Sequence, residues 1–283
     1  MDLIDLHVHS NASDGTLSPA QVVSLAVSKK LSAIALTDHD TVDGVPEALE
    51  AAMGTGLKVV PGTELSCMCH GKEIHMLGLC LKLDSEEFND ALAVQREARK
   101  QRNLEMIRRF AEGGMTFTME DLTKESPGTV ITRAHFARVL MQKGYVTSLN
   151  QAFQKYLDQG KKYFIPKEAF EPAEAIRLIR TAGGFPALAH PLQYKLGWKN
   201  TEKLICDLKE MGLMGVEVYY SSHCASESVR LREICSACGL LPTGGSDFHG
   251  ANKPDIDLGS GRGGLRVPAL LLKDIQEALF HVD

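Results

Sequence analysis

The sequence predicts an α/β fold, a parallel sheet or barrel of βαβ units interrupted by an all-helical insertion. Three observations predict it. Short apolar runs of strand length alternate with helical patterns at both ends of the chain. Histidines and acids fall at or just after the ends of those runs, where α/β folds gather catalytic groups. Between about Ser85 and Lys167 no strand pattern occurs at all.

The first strand is carried by Leu3, Ile4, Leu6 and Val8, so His7 and His9 stand two residues apart. Strand side chains repeat with period two, which sends both imidazoles to one side. Two converging imidazoles can hold a divalent metal, and Asp14 is near enough in sequence to add an oxygen. Ser18-Pro19 then opens a helix to about Lys30, with Ser as N-cap and Pro at the first helical position. Ala33 to Thr37 is the second strand, ending in Asp38-His39-Asp40. A helix from Val45 to Met53 leads to a strand at Leu57–Pro61, with Glu64 just beyond it, and Ile74 to Leu81 is a further strand carrying His75.

In the insertion, Ser85 to Gly113 reads as one long helix and Met119 to Leu122 as a helical turn. Thr132 caps a helix through Gln142, and Leu149 to Asp158 forms another. Alternation resumes at Glu171: strand Phe185–Ala189 runs into His190-Pro191, strand Val216–Val218 follows, and Leu240–Thr243 leads into Gly244-Gly245-Ser246-Asp247-Phe248-His249. A helix from Ala269 to Phe280 closes the chain. The expected units are therefore 1–84 with 168–283, and the insertion 85–167.

Composition narrows the function. The 283 residues are 44% hydrophobic and 24% charged, ordinary for a globular protein with a sizeable core. A net charge of -5 gives no global basic field for a long nucleic-acid track. Seven cysteines without small-domain spacing read as reduced thiols that pack rather than ligate, including Cys67-x-Cys69 and Cys235-x-x-Cys238. Met1-Asp2 runs straight into the first strand and no apolar run reaches the roughly 18 residues of a membrane span, so a cytoplasmic location is expected.

Mixed imidazole and carboxylate donors suit zinc, iron or manganese better than calcium or magnesium. Six histidines at or near strand ends exceed one tetrahedral site, which points to two or three metals sharing a bridging carboxylate, with Glu64 the natural bridge. Such clusters activate water and clamp phosphate. Asp5, Asp38 and Asp40 flank the ligands and are expected to orient imidazoles, to form salt bridges or to cap helices. His70 reads as an exposed turn residue and His281 as a tail residue. His223, after Tyr219-Tyr220, is a candidate pocket residue, and the tyrosines are candidates for base stacking or core packing.

The segments DLHVHS, LTDHD, GTE, EIHMLGL, AHP and GSDFH, in that order, resemble the motifs of the polymerase and histidinol phosphatase (PHP) family. The resemblance covers nearly the whole chain. It implies a distorted seven-stranded (β/α) barrel with a three-metal centre at its carboxyl face. Position by position it assigns one metal to His7, His9, Glu64 and Asp247, a second to Glu64, His75 and His190, and a third to Asp14, His39 and His249. It implies two or three divalent metals, manganese first with zinc or iron as alternatives, and a metal-held hydroxide nucleophile supported by His7, His9, Asp14, Glu64 and Asp247.

The insertion segment Ile131–Arg138, with Phe153-x-Lys155-Tyr156-Leu157 and Gly160-Lys161, resembles one branch of that family, the 3′,5′-nucleoside bisphosphate phosphatases, some of which trim short RNA from the 5′ end. The branch implies that Arg133, His135 and Lys161, with Lys162 beside it, contact the nucleotide's other phosphate. Arg133 and His135 fall in a first helical turn, which also favours anions. The expected substrate is a nucleotide or a short RNA 5′ end. After AHP the branch continues Gly-Arg, whereas this chain has Leu192-Gln193, which leaves the exact substrate open. The alternatives are a phosphatase of a small metabolite such as histidinol phosphate, and a non-catalytic metal-binding module.

Overall fold

The computed structural model describes residues 2–124, 129–166 and 168–280. Of the residues singled out above, Met1, Lys167 and His281 lie outside them. Seven strands follow each other around one sheet in chain order: β1 (Ile4–Val8), β2 (Ala33–Leu36), β3 (Lys58–Cys69), β4 (Lys72–Leu79), β5 (Phe185–Leu188), β6 (Gly215–Tyr220) and β7 (Leu241–Gly245). Val8 bridges Phe248, and the Asp247 N–H donates to the His7 carbonyl at 2.8 Å, so β7 returns beside β1 and the barrel nearly closes. Gly245 permits that approach: a Cβ there would lie 2.4 Å from the His7 backbone nitrogen.

Helices α1 (Pro19–Ser28) and α2 (Val45–Ala52) cover β1 to β3. Their Val22, Val23, Ala26 and Ala48 pack on Val8, Ile34 and Leu36. After β4 come α3 (Glu86–Glu112), α4 (Met119–Thr123), α5 (Arg133–Gln142) and α6 (Leu149–Ala152), and after them α7 (Pro172–Thr181), α8 (Trp198–Glu210), α9 (Ala225–Ala237) and α10 (Leu270–Phe280). Leu271, Leu272 and Ile275 of α10 pack with Ile4, Leu6, Val60, Leu77 and Phe185 in one buried cluster. Among the described residues no helix is long and apolar enough to cross a membrane. All seven cysteines are free thiols, as expected.

Two elements differ from the sequence reading. The third strand runs on to Cys69 instead of stopping at Pro61, because Gly62 to Cys69 pair antiparallel with Lys72 to Leu79. Hence β3 and β4 form a hairpin, β4 alone runs against its neighbours, and Glu64 lies inside a strand. The helix expected over Leu149–Asp158 is α6 followed by a π-turn at Phe153–Leu157.

The helical segment has its own core, in which Phe110 stacks on Tyr163 at 4.2 Å between ring centroids and packs beside Met106, Phe117, Phe136 and Leu140. Helix α3 belongs to two cores. Its Phe88 and Leu92 pack with the barrel and α7, while Met106 and Phe110 lie in the helical cluster. Its 27 residues make a rod of about 40 Å at 1.5 Å per residue, long enough to join both.

Candidate active site

A break in register between Asp5 and Val8 sets up the centre. Leu6 packs in the barrel interior and Val8 beneath α1 and α2, while His7 and His9 stay fully buried with their Nε2 atoms 3.1 Å apart. Such a bulge re-aims side chains at a barrel rim. Glu64 lies between them and the rest: Oε2 is 3.5 Å from His7 Nε2, 3.3 Å from His9 Nε2 and 3.1 Å from His39 Nδ1, and Oε1 is 2.9 Å from both His75 Nδ1 and His190 Nε2. Asp247 Oδ1 stands 3.6 and 3.4 Å from His7 and His9 Nε2. On the far side, Asp14 is 3.2 Å from His249 Nε2 and 3.8 Å from His39 Nε2. All nine expected ligands therefore converge. His9 also reaches the Asp14 group, at 3.8 Å from its Nδ1.

The backbone is bent to make this meeting. His190 (φ 28) and Asp247 (φ 58) both have positive φ, a strain that persists only where surroundings enforce it. The flanking acids hold loops instead of imidazoles. Asp38 accepts from the Ser10 N–H (2.8 Å) and the Ser13 hydroxyl (2.6 Å), pinning the loop that bears His9 and Asp14. Asp5 accepts from the Ser246 and Gly259 N–H groups, both at 2.8 Å, and burial lifts its carboxyl to about 6. Asp40 accepts from the Ser66 N–H and pairs with Arg99. A residue that does hold an imidazole is Glu217, fully buried, whose Oε1 is 2.9 Å from His7 Nδ1 and whose Oε2 accepts the His190 N–H. Its signal was a lone carboxylate in the apolar strand Val216-Glu217-Val218.

Electrostatics separate acids from bases. Burial works against charge on Glu64, Asp14 and Asp247, yet the surrounding imidazoles, and Lys253 for Asp247, hold all three well below the usual carboxylate range. Burial also opposes protonation of His7 and His9, but Glu217, Glu64 and Asp247 raise His7, and Asp247 with Glu64 brings His9 up to about 9. His39 and His249 are pushed down, chiefly by burial. Three groups of histidine and carboxylate donors have ligand atoms within 4.8 Å of one another: His7, His9 and Glu64; His9, Asp14, His39 and His249; and His39, Glu64 and His75. Two imidazole nitrogens facing each other at 3.1 Å beside two carboxylates is an arrangement that a divalent cation between them would satisfy. The donor set thus fits such ions.

Beside this centre opens a cavity of about 310 Å³, lined by Asp14, His39, His75 and His249 on the barrel side. Its roof is Arg99 and Arg102 of α3 with Thr132 and Arg133 at the start of α5. Arg133 Nη2 is 3.1 Å from Glu73 Oε2, and Glu73 Oε1 is 3.1 Å from His75 Nε2. The Arg102 side chain is buried, and its Nε and Nη2 have no hydrogen-bond partner among the described residues. Burial and the nearby Arg133 lower it to about 10. Arg99 falls to about 9 through burial and Arg102. Neither arginine stood out in the sequence, because both are embedded in a highly charged helix.

Two expected substrate contacts lie elsewhere. His135 turns inward as part of the cap of α5: its Nδ1 accepts the Thr132 N–H at 3.1 Å, it is 3% exposed, and it does not line the cavity. The reason is its place at the third helical position, where a side chain reaches back to the N-cap. Lys161 is exposed and also outside the lining, as is Lys162, which lies over the Tyr163 ring. His70 is exposed, as expected. His223 and both tyrosines line a separate groove, and the Tyr220 hydroxyl donates to Asp247 Oδ2 at 2.7 Å.

The chain is similar to known proteins along most of its length. A 5′-3′ exoribonuclease of Haemophilus influenzae is 36% identical over 87% of this chain and 89% of its own. A 3′,5′-nucleoside bisphosphate phosphatase of Chromobacterium violaceum is 32% identical over 90% of each. A solved structure from Bifidobacterium adolescentis, assigned as a metal-dependent phosphoesterase, superimposes with a TM-score of 0.86 at 30% identity, covering 97% of this chain and 95% of that one. The PHP domain family matches residues 5–171, and the chain belongs to that family.

Proposed function

We propose that this phosphoesterase removes the 3′-phosphate of nucleoside 3′,5′-bisphosphates and, by the same chemistry, trims short RNA bearing a 5′-phosphate. The observation that carries the reading is Arg102. A buried guanidinium with two of its nitrogens unpaired is costly unless an anion completes it. Here it faces a cavity that also holds Arg99 and Arg133 on one wall and the histidine-carboxylate centre on the other. A substrate with two phosphates matches two such walls, and an Arg fork grips phosphate in bidentate fashion.

In this reading His7, His9, Glu64 and Asp247 hold one divalent cation, Glu64, His75 and His190 a second, and Asp14, His39 and His249 a third, with manganese the first candidate. When bound, such ions neutralise the transferring phosphoryl group and lower the pKa of water. The chain's own residues do the rest. Arg99, Arg102 and Arg133 fix the 5′-phosphate and thereby place the 3′-phosphate at the centre, an orientation effect of the kind that lowers barriers. Glu217 locks the His7 ring, and the helical roof keeps bulk water from the reacting phosphate. The relatives named for bisphosphate phosphatase and exoribonuclease activity support the choice of substrate.

The test compares manganese-loaded protein on adenosine 3′,5′-bisphosphate and on 3′-AMP. A kcat/KM for the bisphosphate at least tenfold higher is expected. Equal values on the two would overturn the claim that a second phosphate is read.

A further inference from the structure

A second groove, of about 500 Å³, is lined by residues at the carboxyl end of β6, by α9 and by the segment before α10. Tyr219, Tyr220, His223, Arg232, Arg262 and Arg266 line it, and no carboxylate does. In a chain with a net charge of -5 this is a local basic patch. Arg262 pairs with Asp255 at 2.9 Å. Arg232 reaches the Tyr219 hydroxyl at 3.5 Å, and Arg266 donates to the Gly263 and Leu265 carbonyls. Among the described residues neither Arg232 nor Arg266 has a carboxylate within 4.0 Å. His223 Nδ1 donates to the Val218 carbonyl at 3.0 Å, which leaves its buried Nε2 an acceptor with no partner. Arginines beside aromatic rings suit a phosphate backbone and bases at once.

Tyr220 joins this groove to the centre. Its hydroxyl bonds Asp247, and its ring lies 5.6 Å from His190 and 5.2 Å from His223 between centroids. The chemistry of the proposed substrates then assigns the groove an occupant. In a nucleoside bisphosphate the bond cleaved joins the 3′-oxygen to phosphorus: water adds to phosphorus, the 3′-oxygen leaves with a proton, and inorganic phosphate is released. In RNA the same bond breaks in the same way, but the phosphorus carries the rest of the strand, which departs with a new 5′-phosphate. The two substrates differ only in what lies beyond the reacting phosphate. With the 5′-phosphate under the arginine roof, that remainder needs a path of its own away from the centre, and the groove that Tyr220 ties to Asp247 offers one.

We infer that the Tyr219–Tyr220–Arg232–Arg266 groove holds the departing RNA strand, as a site that oligoribonucleotides use and mononucleoside bisphosphates do not. The inference rests on the proposed function, and two readouts separate them. The variant is Arg232→Ala/Arg266→Ala, both exposed positions. Binding of a fluorescein-labelled, 5′-phosphorylated five-nucleotide RNA is measured by anisotropy after metal removal with EDTA, and turnover of adenosine 3′,5′-bisphosphate is measured with manganese. The expected result is an RNA Kd weaker by on the order of tenfold, a log Kd against log salt slope smaller by about 1.4 for two lost phosphate contacts, and unchanged bisphosphate turnover. An RNA Kd within twofold of the parent's, or an equal fall on both substrates, would overturn the groove's assignment. A parent protein that hydrolyses neither substrate would instead overturn the function proposed for the centre, while the binding comparison still judges the groove.

Discussion

The barrel rim and the helical roof meet over one cavity but are built by opposite means. At the rim, the carboxylates of Glu64 and Asp247 face ring nitrogens of His7, His9, His39 and His190 at 2.9 to 3.6 Å, brought in from several strands. At the roof, charges of one sign are crowded together: Arg99 leans on Asp40 and Arg133 on Glu73, while Arg102 Nε and Nη2 have no hydrogen-bond partner among the described residues. A rim of interleaved carboxylates and imidazoles beside a roof of arginines is the contrast on which the proposed function rests: chemistry at one wall, recognition at the other. The difference can be broken by experiments on either wall.

The largest effect belongs to the rim. Glu64→Gln removes the negative charge shared by five imidazoles and turns one of the two oxygens they face into an amide nitrogen, and turnover should fall by on the order of 10³ or more, with metal content by elemental analysis falling in step. Retained turnover would show that the bridge is not needed. At the roof, activity and stability should part company. Arg102→Leu relieves a buried unpaired charge, so urea melts of the substrate-free protein should show a gain of about 1–3 kcal/mol. The same change should lower kcat/KM for the bisphosphate by roughly 10–100-fold, equivalent to one charged hydrogen-bonding partner, and leave 3′-AMP turnover alone. A loss on both substrates would make Arg102 a structural residue.

The smallest effect concerns the joint between the two walls. His135 is held neutral by burial, its pKa lowered to about 4. The unfolded chain, with an ordinary value near 6.5, takes up the proton first, so the contribution is intact above pH 6.5 and erodes as pH falls from there towards 4. The loss reaches at most about 3 kcal/mol. Urea melts of metal-free protein at pH 7.5, 5.5 and 4.5 should show this slope, and His135→Asn should flatten it. An identical slope in both proteins would place the titration elsewhere.

The same contrast explains what the sequence could tell. Much of the rim was legible because most of its histidines and acids sit at strand ends in tight motifs, where short range decides geometry: DLHVH and GSDFH bring two donors each. Glu217 was harder, being a single acid whose partners His7 and His190 are far off in sequence. The roof arginines were hidden for a physical reason. Helix α3 is polar nearly all round, with Arg96, Arg99, Lys100, Arg102, Arg108 and Arg109, and the packing of Phe88 and Leu92 at one end and Met106 and Phe110 at the other decides which of them are buried. The hairpin reversal at β4 was missed because the apolar run ended at Pro61, while the pairing that extends β3 is set by Gly71 at the turn (φ 76) and by partners beyond it.

Thr132 gives the two walls a common currency. Its hydroxyl accepts the Ala134 N–H that starts α5 and donates to Asp14 Oδ2 at 3.0 Å. Anything that draws Asp14 Oδ2 toward the rim competes for that oxygen with the helix start, so occupancy below and order above are linked, each shifting the other by the same free energy.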